Sequence, residues 1–218
     1  MLTFITGCAG SGKTKYIYDT VKRLYDSGNN NMVLFVPEQS SLETEKDLLD
    51  ILGDSGQYAV EPLSFERFCN RLDSLYKYEK KQRISDTGRC VMMSAALREC
   101  KDKLEIFSGR ADDFGFAKLL IDLYEQIKTF GRSSEELYSA SDKFEHILSA
   151  KLHDIGLIFA QYESMLGGEY FDPSDRLTRA ISALDEYPYF SGKTVFFDSF
   201  KGFTSQQMKL VEKIIASA

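Results

Sequence analysis

The chain has 218 residues, of which 43% are hydrophobic and 28% are charged, and its formal net charge is −6. This is the composition of an ordinary globular protein, long enough for one large domain or two small ones. No apolar run approaches the length of a membrane span, and the apolar start at residues 2–5 is too short for a signal peptide, so neither feature is expected in this sequence. The negative charge gives no support for a nucleic-acid-binding protein, but it does not exclude a local basic groove that binds nucleic acid.

The four cysteines form no C-x-x-C pair, and they lie far from the two histidines in the sequence. This spacing argues against a zinc site or a disulfide framework, and it predicts reduced thiols in the cytoplasm. The cysteines and histidines are therefore predicted to be structural.

The first 76 residues alternate between predicted strands and helices. An apolar run at residues 32–36, stopped by Pro37, is typical of a buried parallel strand. Ser64 is predicted to cap the helix that follows the third strand. The predicted elements are strand 2–6, helix 13–25, strand 32–36, helix 42–52, strand 57–60 and helix 65–76. Their alternating order predicts a parallel sheet with helices on its faces.

Residues 77–168 show no convincing strand pattern and are predicted to be helical. Apolar residues recur there at helical spacing, which is typical of stripes that face a core. The first stripe consists of Phe116, Leu119, Leu123, Ile127 and Phe130, and the second of Leu148, Leu152, Ile155, Phe159, Tyr162 and Leu166. We therefore predict a helical bundle that packs on itself rather than a cofactor site.

The final segment returns to the α/β pattern. Residues 194–197 are predicted to form a strand that ends at Asp198, and residues 205–215 are predicted to form a last helix. Since the sequence stops just past this strand–helix unit, we expect the chain to be a fragment of a longer protein.

The turn between the first predicted strand and helix matches the pattern G-x-x-x-x-G-K-[ST] in full. Its glycines allow the backbone to point N–H groups at phosphate oxygens, and the helix start adds its positive dipole end. The ammonium of Lys13 is predicted to reach the β- and γ-phosphates, and the hydroxyl of Thr14 is predicted to bind Mg²⁺. The predicted nucleotide-binding residues are Gly7, Cys8, Ala9, Gly10, Ser11, Gly12, Lys13 and Thr14.

A P-loop site needs a second partner for Mg²⁺, an acid at the end of a neighbouring buried strand. Asp198 follows the apolar residues 195–197 and fits this role, although a strand-end aspartate can instead cap the next helix. Many P-loop motors that hydrolyse ATP have a glutamate after this acid. The chain has Ser199, which cannot act as that base, so weak or absent turnover of ATP is expected.

Thr14 and Asp198 are further apart in the sequence than a compact core requires, at about 30 residues for each βαβ unit. The surplus matches the helical middle. We therefore predict an α/β fold, a P-loop NTPase (RecA-like) parallel sheet with an all-helical insertion. Residues 1–76 are predicted to form the first part of the core, residues 77–168 the insertion and residues 169–218 the second part.

Five short segments add a family resemblance to the P-loop. They are Val36-Pro37-Glu38-Gln39 with Glu45, Ser64-Phe65-Glu66-Arg67, Lys151-Leu152-His153-Asp154-Ile155, Asp172-Pro173-Ser174-Asp175-Arg176-Leu177 and Asp198-Ser199-Phe200-Lys201-Gly202-Phe203-Thr204. In this order they resemble the AddB/RexB family, the B subunits of bacterial ATP-dependent helicase/deoxyribonucleases. A P-loop domain with a helical insertion is also similar to the first motor domain of superfamily-one helicases. The order and spacing of the segments, over nearly the whole chain, carry the resemblance.

The resemblance implies a role in double-strand break repair and recombination. Family members form a heterodimer with an A subunit, and the complex binds duplex DNA ends, unwinds them with ATP and degrades the strands as an exonuclease. The family's C-terminal nuclease domain, second motor domain and arginine finger are expected to lie outside this chain. The resemblance thus implies ATP and Mg²⁺ as cofactors, single-stranded DNA, duplex ends and the A subunit as partners, a cytoplasmic location and no membrane partner.

Three residues are expected, from the related helicases, to contact single-stranded DNA. In those helicases the strand crosses the tips that follow the second and third strands, and the matching positions are Gln39, Ser64 and Phe65. A glutamine or a serine can bond a phosphate, and an aromatic ring can stack on a base. The alternative is that Phe65 lies in the core and that Ser64 only caps its helix.

Two other functions stay open. A P-loop small-molecule kinase would need an acceptor pocket and a basic lid, whereas the apolar stripes of the middle segment are typical of a core. A non-catalytic module that binds ATP as a scaffold and docks a partner is favoured by Ser199. In the leading interpretation the chain binds Mg-ATP modestly and hydrolyses it negligibly, because groups supplied in trans lie outside it.

Overall fold

The computed structural model describes residues 2–54, 56, 58–77, 80–141, 144 and 146–217. These residues fall into two compact units. The α/β unit comprises Met1–Tyr78, Leu177–Phe203 and Gln207–Ala218, and the helical unit comprises Glu79–Arg176 and Thr204–Gln206. The functional division into an NTPase core and an insertion, with limits at residues 77 and 168, stays a prediction.

The described part of the chain forms nine α-helices and five strands. The helices are α1 (Lys13–Asp26), α2 (Ser41–Leu52), α3 (Phe65–Tyr76), α4 (Asp86–Cys100), α5 (Phe114–Thr129), α6 (Ser134–Ser141), α7 (His146–Leu166), α8 (Arg176–Ala183) and α9 (Ser205–Ser217). The strands are β1 (Met32–Phe35), β2 (Val60–Leu63), β3 (Gln82–Arg83), β4 (Tyr170–Phe171) and β5 (Thr194–Phe197). Short 3-10 turns at Glu38–Ser40 and Pro173–Asp175 lead into α2 and α8.

Side-chain caps fix the starts of four of the described helices. Ser64, Ser85, Asp113 and Ser133 each accept a hydrogen bond from the backbone N–H three residues further on, at 3.0–3.1 Å. Such a bond satisfies one of the amides that a helix leaves without a partner in its first turn. The predicted cap at Ser64 is thereby confirmed.

The α/β unit is built on a three-stranded parallel sheet in the order β2-β1-β5. Successive side chains of β1 point to opposite faces, so this central strand feeds two cores. On one face Val33 and Phe35 pack against buried residues of α3, α8 and α9, and on the other Met32 and Leu34 pack against α1 and α2. All four residues of β1 are buried, which explains the continuous apolar run in the sequence.

The helical unit has its own core, formed chiefly by α4, α5 and α7. Ala117, Leu120, Ile121 and Tyr124 of α5 face it, together with Ile158, Phe159 and Tyr162 of α7. The unit also contains the short parallel pair β3 and β4. Among the described helices, none has the length and apolar run that a membrane crossing requires.

Most predicted elements of the α/β pattern are confirmed. The helix over residues 65–76 and the strand over residues 194–197 have the predicted limits, and the other helices differ by one or two residues at an end. The third strand, predicted over residues 57–60, is found at Val60–Leu63, and Gln57 lies outside the described residues.

The predicted strand over residues 2–6 is not formed. Residues 2–8 have no regular structure and are exposed, with Phe4 at 80% of its full accessibility. A strand is stable only where a neighbour accepts and donates its backbone hydrogen bonds, and this segment pairs with none of the strands in the described part of the chain. The α/β class with a small parallel sheet is thus observed, while the RecA-like arrangement stays a prediction.

The apolar stripes of the middle segment were only partly assigned correctly by periodicity. Leu119 and Phe130 are 63% and 66% exposed, and Leu148 is also exposed, whereas Phe159, Tyr162 and Leu166 are buried as predicted. Helix α5 carries apolar residues around most of its circumference, and packing against α4 and α7 selects a face one position away from the predicted stripe. The segment also contains a strand, β3, which was not predicted because two residues show no periodicity.

Candidate functional site

The loop from Gly7 to Thr14 is tightly curled and ends on the first turn of α1. A Cβ atom at Gly7 would lie 2.4 Å from the Oγ and 3.2 Å from the Cβ of Ser11, so a larger residue at this position would require Ser11 to move. Gly12 has a φ of 86°, a left-handed conformation that glycine adopts without strain. The glycines of the sequence pattern are therefore explained by the backbone geometry of this loop.

Helix α1 presents an uncapped amino end to this loop. Gly12 supplies no side-chain hydrogen bond, the first turn contains no acidic residue, and the first amides of a helix have no acceptor within it. The ammonium of Lys13 donates to the backbone oxygens of Gly7 and Cys8, both at 2.8 Å. Free amides, a helix dipole and a lysine ammonium thus lie together, an arrangement that attracts an anion.

The orientation of α1 directs its amino end towards the carboxyl edge of the sheet. The helix packs on the sheet through Ile17 and Val21. Just beyond its other end, Asn29 donates to the hydroxyl of Thr194, the first residue of β5, at 3.2 Å. Helix α1 therefore runs antiparallel to β5 and spans about 21 Å, whereas a four-residue strand spans about 13 Å. The amino end of α1 is therefore directed towards the carboxyl edge of the sheet, and the proximity of Thr14 to Asp198 stays a prediction.

Tyr18 of α1 lies near acidic side chains. Its hydroxyl donates to Asp47 of α2 at 3.1 Å. Burial, followed by the charges of Asp47 and, more weakly, Asp198, raises the pKa of the Tyr18 phenol to about 12. The charge of Asp198 thus acts on the side chain of Tyr18 in α1.

Asp198 continues β5 by one residue. Its backbone N–H donates to the oxygen of Phe35 at 3.0 Å, and its carboxylate accepts a hydrogen bond from the hydroxyl of Ser199 at 3.3 Å. Ser199 has a φ of 64°, a left-handed conformation that is unfavourable for any residue other than glycine. The backbone therefore turns sharply directly after the predicted metal ligand.

Hard oxygen ligands for a divalent cation are available in the α/β unit. Thr14 has an exposed hydroxyl, and Asp198 has a half-buried carboxylate. Both groups are of the kind that Mg²⁺ prefers, and Mg²⁺ commonly takes its remaining ligands from water and phosphate. Within the described ranges there is no group of three or more His, Cys, Asp or Glu side chains that could hold a metal ion without such help. The donor set fits a nucleotide-bound magnesium better than a metal held by protein alone.

The three residues predicted to contact DNA lie on the tips of neighbouring strands. Gln39 is exposed in the 3-10 turn after β1, and Ser64 and Phe65 follow β2 directly. The Oγ of Ser64 is buried and accepts from the N–H of Arg67 at 3.1 Å, so the capping role holds. Phe65 is half-buried, and its contact with DNA, like that of the other two residues, stays a prediction.

An aromatic cluster surrounds Phe65 at the carboxyl edge. Its ring lies 5.5 Å from that of Phe35, 5.4 Å from Phe200 and 6.2 Å from Phe203. Phe200 and Phe203 belong to the loop that follows Asp198, and their rings are 5.0 Å apart. The segment D-S-F-x-x-F-T therefore links the end of β5 to the tip of β2 through aromatic contacts.

Glu38, Glu45 and Arg67 form a cluster of ion pairs. All three belong to the family-like segments, but the sequence alone predicted no role for them. The guanidinium of Arg67 forms a salt bridge with Glu45 of α2, and its Nε lies 3.7 Å from the carboxylate of Glu38. The V-P-E-Q segment, Glu45 and the S-F-x-R segment thus meet at the tips of β1 and β2. The signal that could have found them is positional, since Glu38 and Arg67 each follow a strand of one parallel pair.

The two family-like segments of the helical unit are buried and structural. The carboxylate of Asp154 accepts from the backbone N–H groups of Glu105, Ile106 and Phe107 at 2.8–3.0 Å. Asp172 accepts from the Nε of Arg89 at 2.8 Å and from the hydroxyl of Tyr162 at 2.6 Å. Both aspartates are fully buried, so their oxygens are occupied by the protein itself.

The chain is similar to known proteins over its whole length. The family model described as ADDB, N-terminal, matches residues 4–218. The B subunit of the ATP-dependent helicase/deoxyribonuclease of Clostridium kluyveri is 33% identical over 219 residues, which cover 100% of this chain and 19% of that protein. The proteins of the same name from Caldanaerobacter subterraneus subsp. tengcongensis and Acetivibrio thermocellus are 33% and 31% identical, again over 100% of this chain and 19% of theirs. This chain thus spans about a fifth of the length of these relatives. It belongs to the AddB family and corresponds to the N-terminal domain of that family.

Proposed function

We propose that the chain is the ATP-binding, motor-like N-terminal domain of the B subunit of a helicase/exonuclease that acts in double-strand break repair and recombination. The observation that supports the proposal is the uncapped amino end of α1, where the Gly7–Thr14 loop and the ammonium of Lys13 lie together, in the same α/β unit as Asp198 at the end of β5. The relatives are named as subunits of an ATP-dependent helicase/deoxyribonuclease, which supports the same role.

In the proposed site the P-loop holds the triphosphate of ATP. The N–H groups at the start of α1 donate to phosphate oxygens, and Lys13 exchanges its two backbone acceptors for the β- and γ-phosphates. Thr14 and Asp198 hold Mg²⁺, which neutralises phosphate charge when it is bound. These residues bind and orient the nucleotide, and none of them takes a proton from an attacking water.

Hydrolysis is proposed to be weak or degenerate in this domain. Ser199 stands where many P-loop motors have a glutamate, and its left-handed backbone is a conformation in which a glutamate would also be strained. This observation also favours a second candidate function, a scaffold module that binds ATP without turning it over. The two candidates share the nucleotide site. They differ only in whether a complete complex hydrolyses ATP at this site and uses the free energy of that hydrolysis.

The proposed partners are DNA and the A subunit of the heterodimer in the cytoplasm. A single strand would cross the tips of β1 and β2, where Gln39 is exposed and where Ser64 and Phe65 begin α3. These tips lie at the same edge as the proposed nucleotide site, because the carboxyl ends of parallel strands share an edge.

The thiol of Cys8 provides a built-in test of nucleotide binding. Cys8 is exposed within the loop, Cys90 is half-buried and Cys69 and Cys100 are buried, and burial raises the pKa of the Cys100 thiol. A thiol reagent should therefore label Cys8 first. Saturating Mg-ATP should slow this labelling at least about tenfold, as followed by mass spectrometry, because phosphates fill the loop.

The matched controls separate phosphate binding from general stabilisation. Lys13→Ala should weaken binding of Mg-ATP by roughly 30- to 150-fold, the worth of about 2–3 kcal/mol for a charged hydrogen-bonding group, and should abolish protection. Lys15→Ala, which changes an exposed neighbour, should retain protection. AMP, which lacks the β- and γ-phosphates, should not protect. Labelling of Cys8 at one rate with and without Mg-ATP would refute the proposal.

A further inference from the structure

Arg67 holds the segment after β1 at two points. Glu38 lies in the 3-10 turn and Glu45 lies two helical turns further on, so both carboxylates are on the face of this segment that meets α3. Arg67 itself is fixed at its backbone, because its N–H donates to the cap residue Ser64. The cluster therefore ties the tip of β1 to the tip of β2.

Gln39 is the residue that this tie positions. It lies directly after Glu38 in the turn, whose backbone is closed by the N–H of Ser40 donating to Pro37 at 2.9 Å. The contact of Glu38 with Arg67 and the continuation of the turn into α2 restrain the backbone of Gln39 on both sides. The side chain of Gln39 is exposed.

The charges of the cluster decide between two roles for Arg67. A guanidinium is a good ligand for a phosphodiester when it stands alone. Here two carboxylates accompany the single positive charge of Arg67, so the trio carries a net negative charge, which repels a phosphate. This charge balance favours a role in positioning over direct binding.

We propose that Arg67 is a positioning residue for the binding of single-stranded DNA. It holds Glu38 and Glu45, and thereby the turn that carries Gln39, so that Gln39 contacts the strand. The inference rests on the proposed function, since it takes Gln39 as a DNA contact. It assigns to the S-F-x-R segment an indirect part in DNA binding that neither Ser64 nor Phe65 provides.

Arg67→Gln tests the proposal against a matched control in the same helix. Arg71 lies one turn further along α3 and pairs with Glu61 in the middle of β2, away from the tips, while both arginines line the same cleft of about 730 Å³. The dissociation constant for fluorescent oligothymidylate is measured by anisotropy at several salt concentrations. Arg67→Gln should weaken binding by about three- to tenfold, the range for one or two surface ion pairs, and Arg71→Gln should not weaken it.

The salt dependence and a double variant distinguish positioning from direct contact. Loss of a phosphate contact would reduce the slope of log affinity against log salt by about 0.7, whereas loss of positioning should leave the slope unchanged. The variant Arg67→Gln with Gln39→Ala should bind no more weakly than Gln39→Ala alone. A reduced slope, or losses that multiply in the double variant, would overturn the proposal.

Glu38→Gln gives a second test in which electrostatics and positioning predict opposite signs. Removal of a negative charge near DNA should tighten binding if the charge acts only at a distance. Release of the turn from Arg67 should instead weaken binding, by an amount similar to Arg67→Gln. Tighter binding by Glu38→Gln would overturn the proposal even if Arg67→Gln proved unstable.

Failure of the inference is distinguishable from failure of the proposed function. If Gln39→Ala weakens binding and Arg67→Gln behaves like Arg71→Gln, only the positioning role is wrong. If the unaltered chain does not bind oligothymidylate, the DNA contact and the positioning role are both wrong, while nucleotide protection of Cys8 still tests the nucleotide site.

Discussion

The helical unit contains a buried network of charged side chains around Arg89, whereas the candidate site of the α/β unit has charged side chains that are more exposed. Arg89 is buried and is held by Asp172 and Glu125, and although burial acts to lower the pKa of Arg89, these two carboxylates raise it. Lys13, by contrast, is held only by backbone oxygens of its own loop, which a stronger acceptor can replace. The charge of Arg89 is thus neutralised by carboxylates of the protein itself, whereas the ammonium of Lys13 is available to a ligand.

This difference separates two kinds of family-like segment. Segments with Asp154 and Asp172 are explained by the stability of the helical unit, because each buried carboxylate meets several donors. The side chains of Lys13 and Asp198 have few partners in the structure, since Lys13 donates only to backbone oxygens of its own loop and Asp198 accepts from Ser199. Sequence resemblance alone gives the two kinds equal weight, so substitution in each unit is the way to test whether they differ.

The largest expected effect is that of Asp172→Asn on the helical unit. The substitution removes a fully buried carboxylate that pairs with Arg89. It should lower the free energy of unfolding by about 3 kcal/mol, because Arg89 stays buried without this partner. Urea denaturation followed by circular dichroism measures the loss. Asp112→Asn, which removes an exposed pair with Arg98, should cost less than about 1 kcal/mol. Equal losses in the two variants would mean that burial does not distinguish these pairs.

A smaller effect is expected for Asp154→Ala, at about 2 kcal/mol. Three backbone N–H groups in the segment after α4 lose their common acceptor, and hydrogen bonds to a charged group are worth more than neutral ones. Hydrogen exchange should quicken at the amides of Ile106 and Phe107. Asp102→Ala, at an exposed residue of the same region, serves as the control. Unchanged exchange at both amides would show that Asp154 does not hold this segment.

The smallest effect has the opposite sign and belongs to the α/β unit. Ser199→Gly should raise the free energy of unfolding by about 0.5–1 kcal/mol, because glycine accepts the left-handed backbone at this position without strain. Thermal unfolding measures the gain, and turnover of ATP should stay negligible because no base is introduced. A loss of stability would mean that the Ser199 hydroxyl, which donates to Asp198, outweighs the strain of its backbone.

The sequence predicted the geometry of the turn before α1 better than it predicted the sheet, while the nucleotide-binding role of that turn stays a prediction. The G-x-x-x-x-G-K-T pattern predicted a tight loop, because the local backbone geometry at Gly7 and Gly12 favours glycine. The strand expected over residues 2–6 failed, since a strand depends on a neighbour that a local pattern cannot supply. The cluster of Glu38, Glu45 and Arg67 was present in the quoted segments, but nothing local shows that they meet.

What the sequence determined by itself is whatever depends on neighbours along the chain. Helix starts at Ser64 and Asp113, the apolar run of β1 and the curled loop before α1 all follow from a few consecutive residues. Tertiary structure decided which face of α5 is buried, where Asp172 finds Arg89, and that α1 runs antiparallel to β5. These features depend on packing between distant segments, where several arrangements satisfy the same local pattern and only the best-packed one is adopted.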